Sequence, residues 1–126
     1  MFALLHGLLY CSLLPLREGF DEPCHYGYVE QLGLERKVPV DGRTLLSEEI
    51  WQSMHLVPAS YVNVRNVPDL ISYSEYFKMD PAAQRALRAR LFALPPELRT
   101  KEAGPPNYEA QQVPLAYLPL VRMHGR

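Results

Sequence analysis

Gly19-Phe20-Asp21-Glu22-Pro23-Cys24-His25-Tyr26-Gly27-Tyr28-Val29 is the stretch around which the chain is organised. An apolar run ends just before it. Two adjacent carboxylates follow, then a proline and an aromatic-rich segment. The ordinary reading is a helix start, with Asp21 or Glu22 as N-cap and Pro23 at the first helical position. Tyr26, Val29 and Leu32 or Gly33 recur at three-to-four spacing, which predicts a helix over 23–34. Glu35-Arg36-Lys37 closes it on a basic note.

Upstream, residues 1–16 carry no lysine, arginine, aspartate or glutamate, and His6 is their one side chain that ionises near neutral pH. As a helix they rise about 24 Å, short of the roughly 30 Å hydrocarbon core of a bilayer. The run lacks the basic n-region and small-residue cleavage site of a signal peptide. Three readings stand: a buried core helix, an atypical signal segment, or the later part of a transmembrane helix. The third accounts best for the missing charges, because a basic cytoplasmic flank would lie before Met1. The expected division is therefore a partial transmembrane helix over 1–17 and an extracytoplasmic loop region over 18–126.

The 126 residues suit one domain or a piece of one. A formal charge of −1 provides no electrostatic footprint for nucleic acid. Twelve prolines cut the chain into short pieces, and no internal repeat is visible. Two cysteines, Cys11 and Cys24, do not make a disulfide framework and are read as unpaired thiols.

Downstream, Val38-Pro39-Val40 is extended and Asp41-Gly42 marks a turn. Ser47 caps a second helix that carries Glu48 and Glu49 in its first turn and Ile50, Trp51, Met54 and Val57 as its apolar stripe; Pro58 stops it. Residues 59–67 read as extended or irregular. Pro68-Asp69 opens a third helix through Ile71, Tyr73, Tyr76 and Phe77. Asp80-Pro81 starts a fourth, ending near Leu94, with Leu87, Leu91 and Leu94 on its apolar face. Its arginines, Arg85, Arg88 and Arg90, read as a solvated surface or as contacts for anionic headgroups. Pro95-Pro96 and Pro105-Pro106 bracket a loop. Asn107 caps a last, proline-kinked segment over 108–121, which suits a membrane interface better than a span. The fold class expected is all-α, with Trp51, Tyr61, Tyr73, Tyr76 and Phe77 in the core.

No His-Glu-x-x-His, Cys-x-x-Cys, Gly-x-Ser-x-Gly or phosphate loop occurs. Asp21 and His25 are four apart and share a helix face. With Glu22 they make a two-carboxylate, one-imidazole set of the kind that holds a divalent ion, the one cofactor these residues suggest. General-base work by a carboxylate is the stronger expectation, since a like-charged neighbour and partial desolvation both make a carboxylate more basic.

Two segments together carry a resemblance. Asp21-Glu22-Pro23-x-His25-Tyr26-x-Tyr28-Val29, just after an apolar run, resembles the opening of the first extracytoplasmic loop of polytopic GT-C glycosyltransferases. These include the protein O-mannosyltransferases and the aminoarabinose transferases of lipid A. Asn107-Tyr108-Glu109-Ala110-Gln111-Gln112-Val113-Pro114-Leu115-Ala116-Tyr117 is similar to the second signature of that loop. Gln112-Val113 stands where relatives carry a basic residue and a first proline, and a neutral amide makes no charge-assisted phosphate contact.

The resemblance implies an integral-membrane enzyme that moves a sugar from a polyprenyl-phosphate donor to an acceptor hydroxyl at the outer membrane face. Asp21 would be the general base and Glu22 its support. His25, Glu109 and Gln112 would line the substrate cavity. Such enzymes have many spans, so the expectation is a fragment that is inactive alone. The alternative is a small membrane-anchored or secreted binding protein in which Asp21-Glu22-Pro23 is only a cap. Third comes a soluble helical protein with residues 2–16 as a core helix.

Overall fold

The computed structural model describes residues 5–9 and 21–124. Residues 5–9 are helical with exposed side chains. The rest of the expected partial transmembrane helix over 1–17, with Cys11, lies outside the described residues. Among the described residues, no helix is long and apolar enough to cross a membrane.

Helix α1 spans Glu22–Glu30 and widens into a π-helical turn over Gln31–Glu35, which Arg36 closes in the left-handed region at φ 54°. Then come β1 (Leu45–Ser47), α2 (Glu48–Met54), β2 (Pro58–Ala59), α3 (Tyr61–Asn66), β3 (Ile71–Ser72), α4 (Tyr73–Lys78) and α5 (Pro81–Phe92). A 3-10 turn (Pro96–Thr100), β4 (Glu102–Pro106), two further 3-10 turns (Tyr108–Gln111 and Pro114–Ala116) and α6 (Leu118–His124) complete the order.

The described residues are mostly helical, at 63%, so the all-α class holds only coarsely. Two small two-stranded sheets tie the helices together. β1 pairs antiparallel with β4, Leu45 opposite Pro106 and Ser47 opposite Glu102, with an irregularity between them. β2 pairs parallel with β3, Pro58 opposite Ile71. The proline-bracketed loop is thus partly a strand. Prolines fit there because each sheet has only two strands, and an edge strand needs no donor on its outer side. Gly104 lets β4 approach β1: a Cβ on it would lie 2.8 Å from Leu46 Cβ.

The caps at Ser47 and Asp80 stand where the sequence puts them. Ser47 Oγ accepts from Ile50 N, and Asp80 Oδ1 accepts from Ala82 N and Ala83 N. Two expectations in the middle are corrected. Residues 61–66, read as extended, are helical because Ser60 Oγ accepts from Asn63 N. The third helix starts at Tyr73 instead of Pro68. A Ser72–Glu75 capping box begins it, and Asp69, at φ 61°, is in the left-handed region.

The main core contains Cys24, Leu46, Ile50, Met54, Ala59 and Leu70, edged by Tyr26, Trp51, Val64 and Val67. A second cluster joins Tyr28, Val29 and Tyr117 with Leu32 and Val121. The aromatic core expected in the middle is built only in part: Trp51 edges the main core, and Tyr73 and Tyr76 are half-buried. Tyr61 and Phe77 are 72% and 64% exposed, because their short helices turn those rings outward. Leu87 and Leu91 on α5 and Leu94 just beyond it are half-buried, and Arg85, Arg88 and Arg90 are exposed on the other faces of α5.

One buried side chain pins the end of the chain to its beginning. Asn107 has no exposed surface. Its Nδ2 donates to the Cys24 carbonyl at 3.0 Å, its Oδ1 accepts from Glu109 N at 3.1 Å, and its own N donates to Thr44 O at 2.8 Å. Gly27 clears the way: a Cβ there would sit 2.8 Å from Leu46 Cδ2 and 3.3 Å from Asn107 Nδ2. Asn107→Ala removes both side-chain bonds and leaves the buried Glu109 N–H without its acceptor. The expected loss is about 2–3 kcal/mol of unfolding free energy, read from urea denaturation.

Candidate functional site

Asp21 occupies the N-cap position of α1, yet its side chain makes no capping hydrogen bond. Its Oδ2 instead lies 3.3 Å from His25 Nε2, one turn along the helix. The i,i+4 spacing that sets the two on one face is therefore used for each other rather than for the backbone. Both remain accessible, with side chains 45% and 42% exposed.

The third member comes from far along the chain. Capped by Asn107, the 3-10 turn Tyr108–Gln111 points Glu109 back at α1. Glu109 is buried, its side chain 8% exposed, and its Oε2 lies 3.6 Å from His25 Nδ1. That oxygen has no hydrogen-bond partner among the described residues. One ligand atom each from Asp21, His25 and Glu109 falls within 4.8 Å of the others.

Two tyrosines hold the arrangement. Tyr117 OH lies 2.7 Å from His25 Nδ1 and fixes the imidazole ring. The Tyr117 ring stacks on Tyr28, with centroids 4.1 Å apart and planes at 16°. Fully buried Tyr28 donates its OH to the Gln112 carbonyl at 2.9 Å. Burial, then the negative charge of Glu109, pushes the Tyr117 phenol above its ordinary value. Burial alone does the same for Tyr28. Tyr108 is raised first by burial and then by charge on Cys24 and Asp21. The Cys24 thiol is pushed up to about 11, burial outweighing the hydrogen bonds from Tyr108 that pull the other way. These hydroxyls and this thiol stay protonated near neutral pH.

Of the residues expected from the sequence, Asp21, His25 and Glu109 come together. Glu22 does not. Neighbouring residues on a helix point about 100° apart, and exposed Glu22 lines a separate groove of about 250 Å³ with Tyr26, Glu49, Leu91 and Arg99. The acidic pair is thus split between two faces, and Glu109 takes the place expected of Glu22 in the carboxylate–imidazole set. Gln112 contributes its backbone carbonyl, while its side chain is exposed. Tyr28 and Tyr117 belong to the two recognisable segments, but their stacking on each other has no signal in sequence spacing.

No family model, curated protein or solved structure matches the chain.

Buried Cys24 lies next to the site and reports on its packing. With a thiol near 11, alkylation of Cys24 by iodoacetamide at pH 8 should run on the order of 100-fold slower than that of an unstructured thiol. The rate should climb steadily toward pH 11. Peptide mapping by mass spectrometry distinguishes Cys24 from Cys11. Rapid labelling of Cys24 at pH 8 would mean that this part of α1 is not packed as described.

Proposed function

We propose that this chain is the extracytoplasmic loop region of an integral-membrane glycosyltransferase that moves a sugar from a polyprenyl-phosphate donor to an acceptor hydroxyl, with Asp21 as general base. The observation that carries this is the meeting of the two segments that bear the resemblance. Asp21 and His25 from the first and Glu109 from the second come together in one cluster, with Asp21 and His25 partly exposed. A carboxylate serving only as a helix cap would bond the backbone, and that of Asp21 lies instead 3.3 Å from His25 Nε2.

In this role Asp21 accepts the proton of the acceptor hydroxyl as its oxygen bonds to the anomeric carbon of the sugar. The bond from that carbon to the donor phosphate breaks, and polyprenyl phosphate leaves with the electron pair. His25 holds Asp21 in place, and Tyr117 holds His25. Glu109 adds a second carboxyl group beside His25, which is no ligand for a phosphate, so the donor phosphate is bound by other parts of a longer protein. Glu22 lies outside the proton path, on the neighbouring groove. An apolar edge, with Val113 65%, Leu115 75%, Leu118 47% and Leu120 50% exposed beside exposed Arg122, supports placing the pocket at a membrane surface.

The test is Asp21→Asn in the membrane-embedded enzyme. Transfer from a polyprenyl-phosphate sugar should fall at least about 100-fold while expression persists, the loss typical of a removed general base. Near-normal turnover would return Asp21 to the helix-cap role and favour a non-enzymatic, membrane-anchored binding protein.

A further inference from the structure

We propose that Asp21, His25 and Glu109 form a binding site for one divalent transition-metal ion, Zn²⁺ foremost. The three residues present two carboxylates and one imidazole, with one ligand atom from each within 4.8 Å of the others. Zinc bound by three protein groups at about 2.0–2.2 Å holds neighbouring ligand atoms roughly 3.3 Å apart. Closing the three groups on an ion therefore takes a contraction of up to about 1.5 Å. Asp21 can make it, because its side chain is 45% exposed and makes no capping bond that would have to break.

A second, independent observation points to a cation. Glu109 has a side chain only 8% exposed, aimed at His25, with Oε2 lacking any hydrogen-bond donor among the described residues. A buried carboxylate oxygen without a donor is a substantial penalty. His25 does not relieve it, because 3.6 Å exceeds hydrogen-bond length and Nδ1 is already engaged by Tyr117 at 2.7 Å. A metal ion relieves it directly. The Tyr117 contact then acts as the outer support that fixes a metal-bound imidazole, a common feature of such sites. A mixed nitrogen and oxygen set suits Zn²⁺, with Mn²⁺ next. Three protein ligands leave at least one coordination position for water or a bound hydroxyl, on the side where Asp21 and His25 meet solvent.

Metal binding stands apart from the transferase reading, since it requires neither donor nor acceptor. The 126-residue chain, stripped with chelator, is titrated with ZnCl₂ near neutral pH by isothermal calorimetry. One saturating equivalent with Kd at or below about 10 µM is expected. Glu109→Gln and His25→Gln should each weaken binding at least about tenfold. Saturating Zn²⁺ should raise the melting temperature of the wild type and not of either variant. If circular dichroism finds Glu109→Gln unfolded, Asp21→Asn at its half-exposed position serves instead and should weaken binding at least about fivefold. The His25 ring protons in NMR then provide a direct readout, shifting on addition of one equivalent. The proposal is overturned if no saturable site appears below about 1 mM, or if the folded variants bind as tightly as wild type. The second result would place the ion on His6, His55 or His124. Loss of transfer without loss of zinc binding, or the reverse, would separate this site's two roles.

Discussion

Asn107 is the constraint on which the arrangement depends. One amide side chain, with no exposed surface, joins the Cys24 carbonyl in α1 to the Glu109 amide in the 3-10 turn, while its backbone N–H bonds to Thr44 just before β1. The same helix reaches out twice more with polar side chains. Glu30 accepts from Ser47 Oγ at 2.6 Å, and Gln31 Nε2 donates to Leu45 O at 3.0 Å. Ser47 is meanwhile the cap of α2. α1 thus works as a polar spine as well as an apolar one. Its buried hydrogen bonds set the register of β1, α2 and the 107–112 segment, and its apolar residues fill both core clusters.

That spine sets the character of the pocket. Buried polar groups demand specific partners, so the 107–117 segment has little freedom in how it lies on α1. Glu109 is delivered to His25 by the same turn that Asn107 caps, and Tyr117 by the turn after it. Tyr117 stacks on fully buried Tyr28, while Asp21 and His25 stay partly exposed. A rigid rear wall and an accessible front carboxylate suit a group that must take a proton from, or share an ion with, something arriving from outside.

Much of this was legible before any coordinates. The caps at Ser47, Asp80 and Asn107 declare themselves because a short polar side chain followed by a charged or proline-bearing first turn has few other uses. The helix after Pro23 follows from its periodicity. What escaped the sequence is non-local. Two-residue strands such as β2 and β3 have no pattern of their own and exist through pairing. β4 hides among prolines that an edge strand tolerates. Glu22 looked like the partner of Asp21 because adjacency in sequence is not adjacency on a helix face. The Tyr28–Tyr117 stack needs a tertiary fold before it has meaning. Apart from residues 5–9, the apolar run before Gly19 falls outside the described residues.

The Asn107–Cys24 bond also has a consequence in time. It joins residues 83 positions apart, and the pocket exists only once that loop is closed. Closing a chain of that length carries an entropic penalty of about 4 kcal/mol before any contact repays it, and contacts so distant in sequence slow folding. On the ribosome, at roughly 5–20 residues per second, α1 and α2 emerge seconds before Tyr117 does. Through that interval α1 carries an acidic N-terminus with no Glu109, no fixed imidazole and an unfilled slot at Gly27. The chain therefore acquires its pocket last, and any species that stalls before Asn107 docks has most of its helices and none of its chemistry.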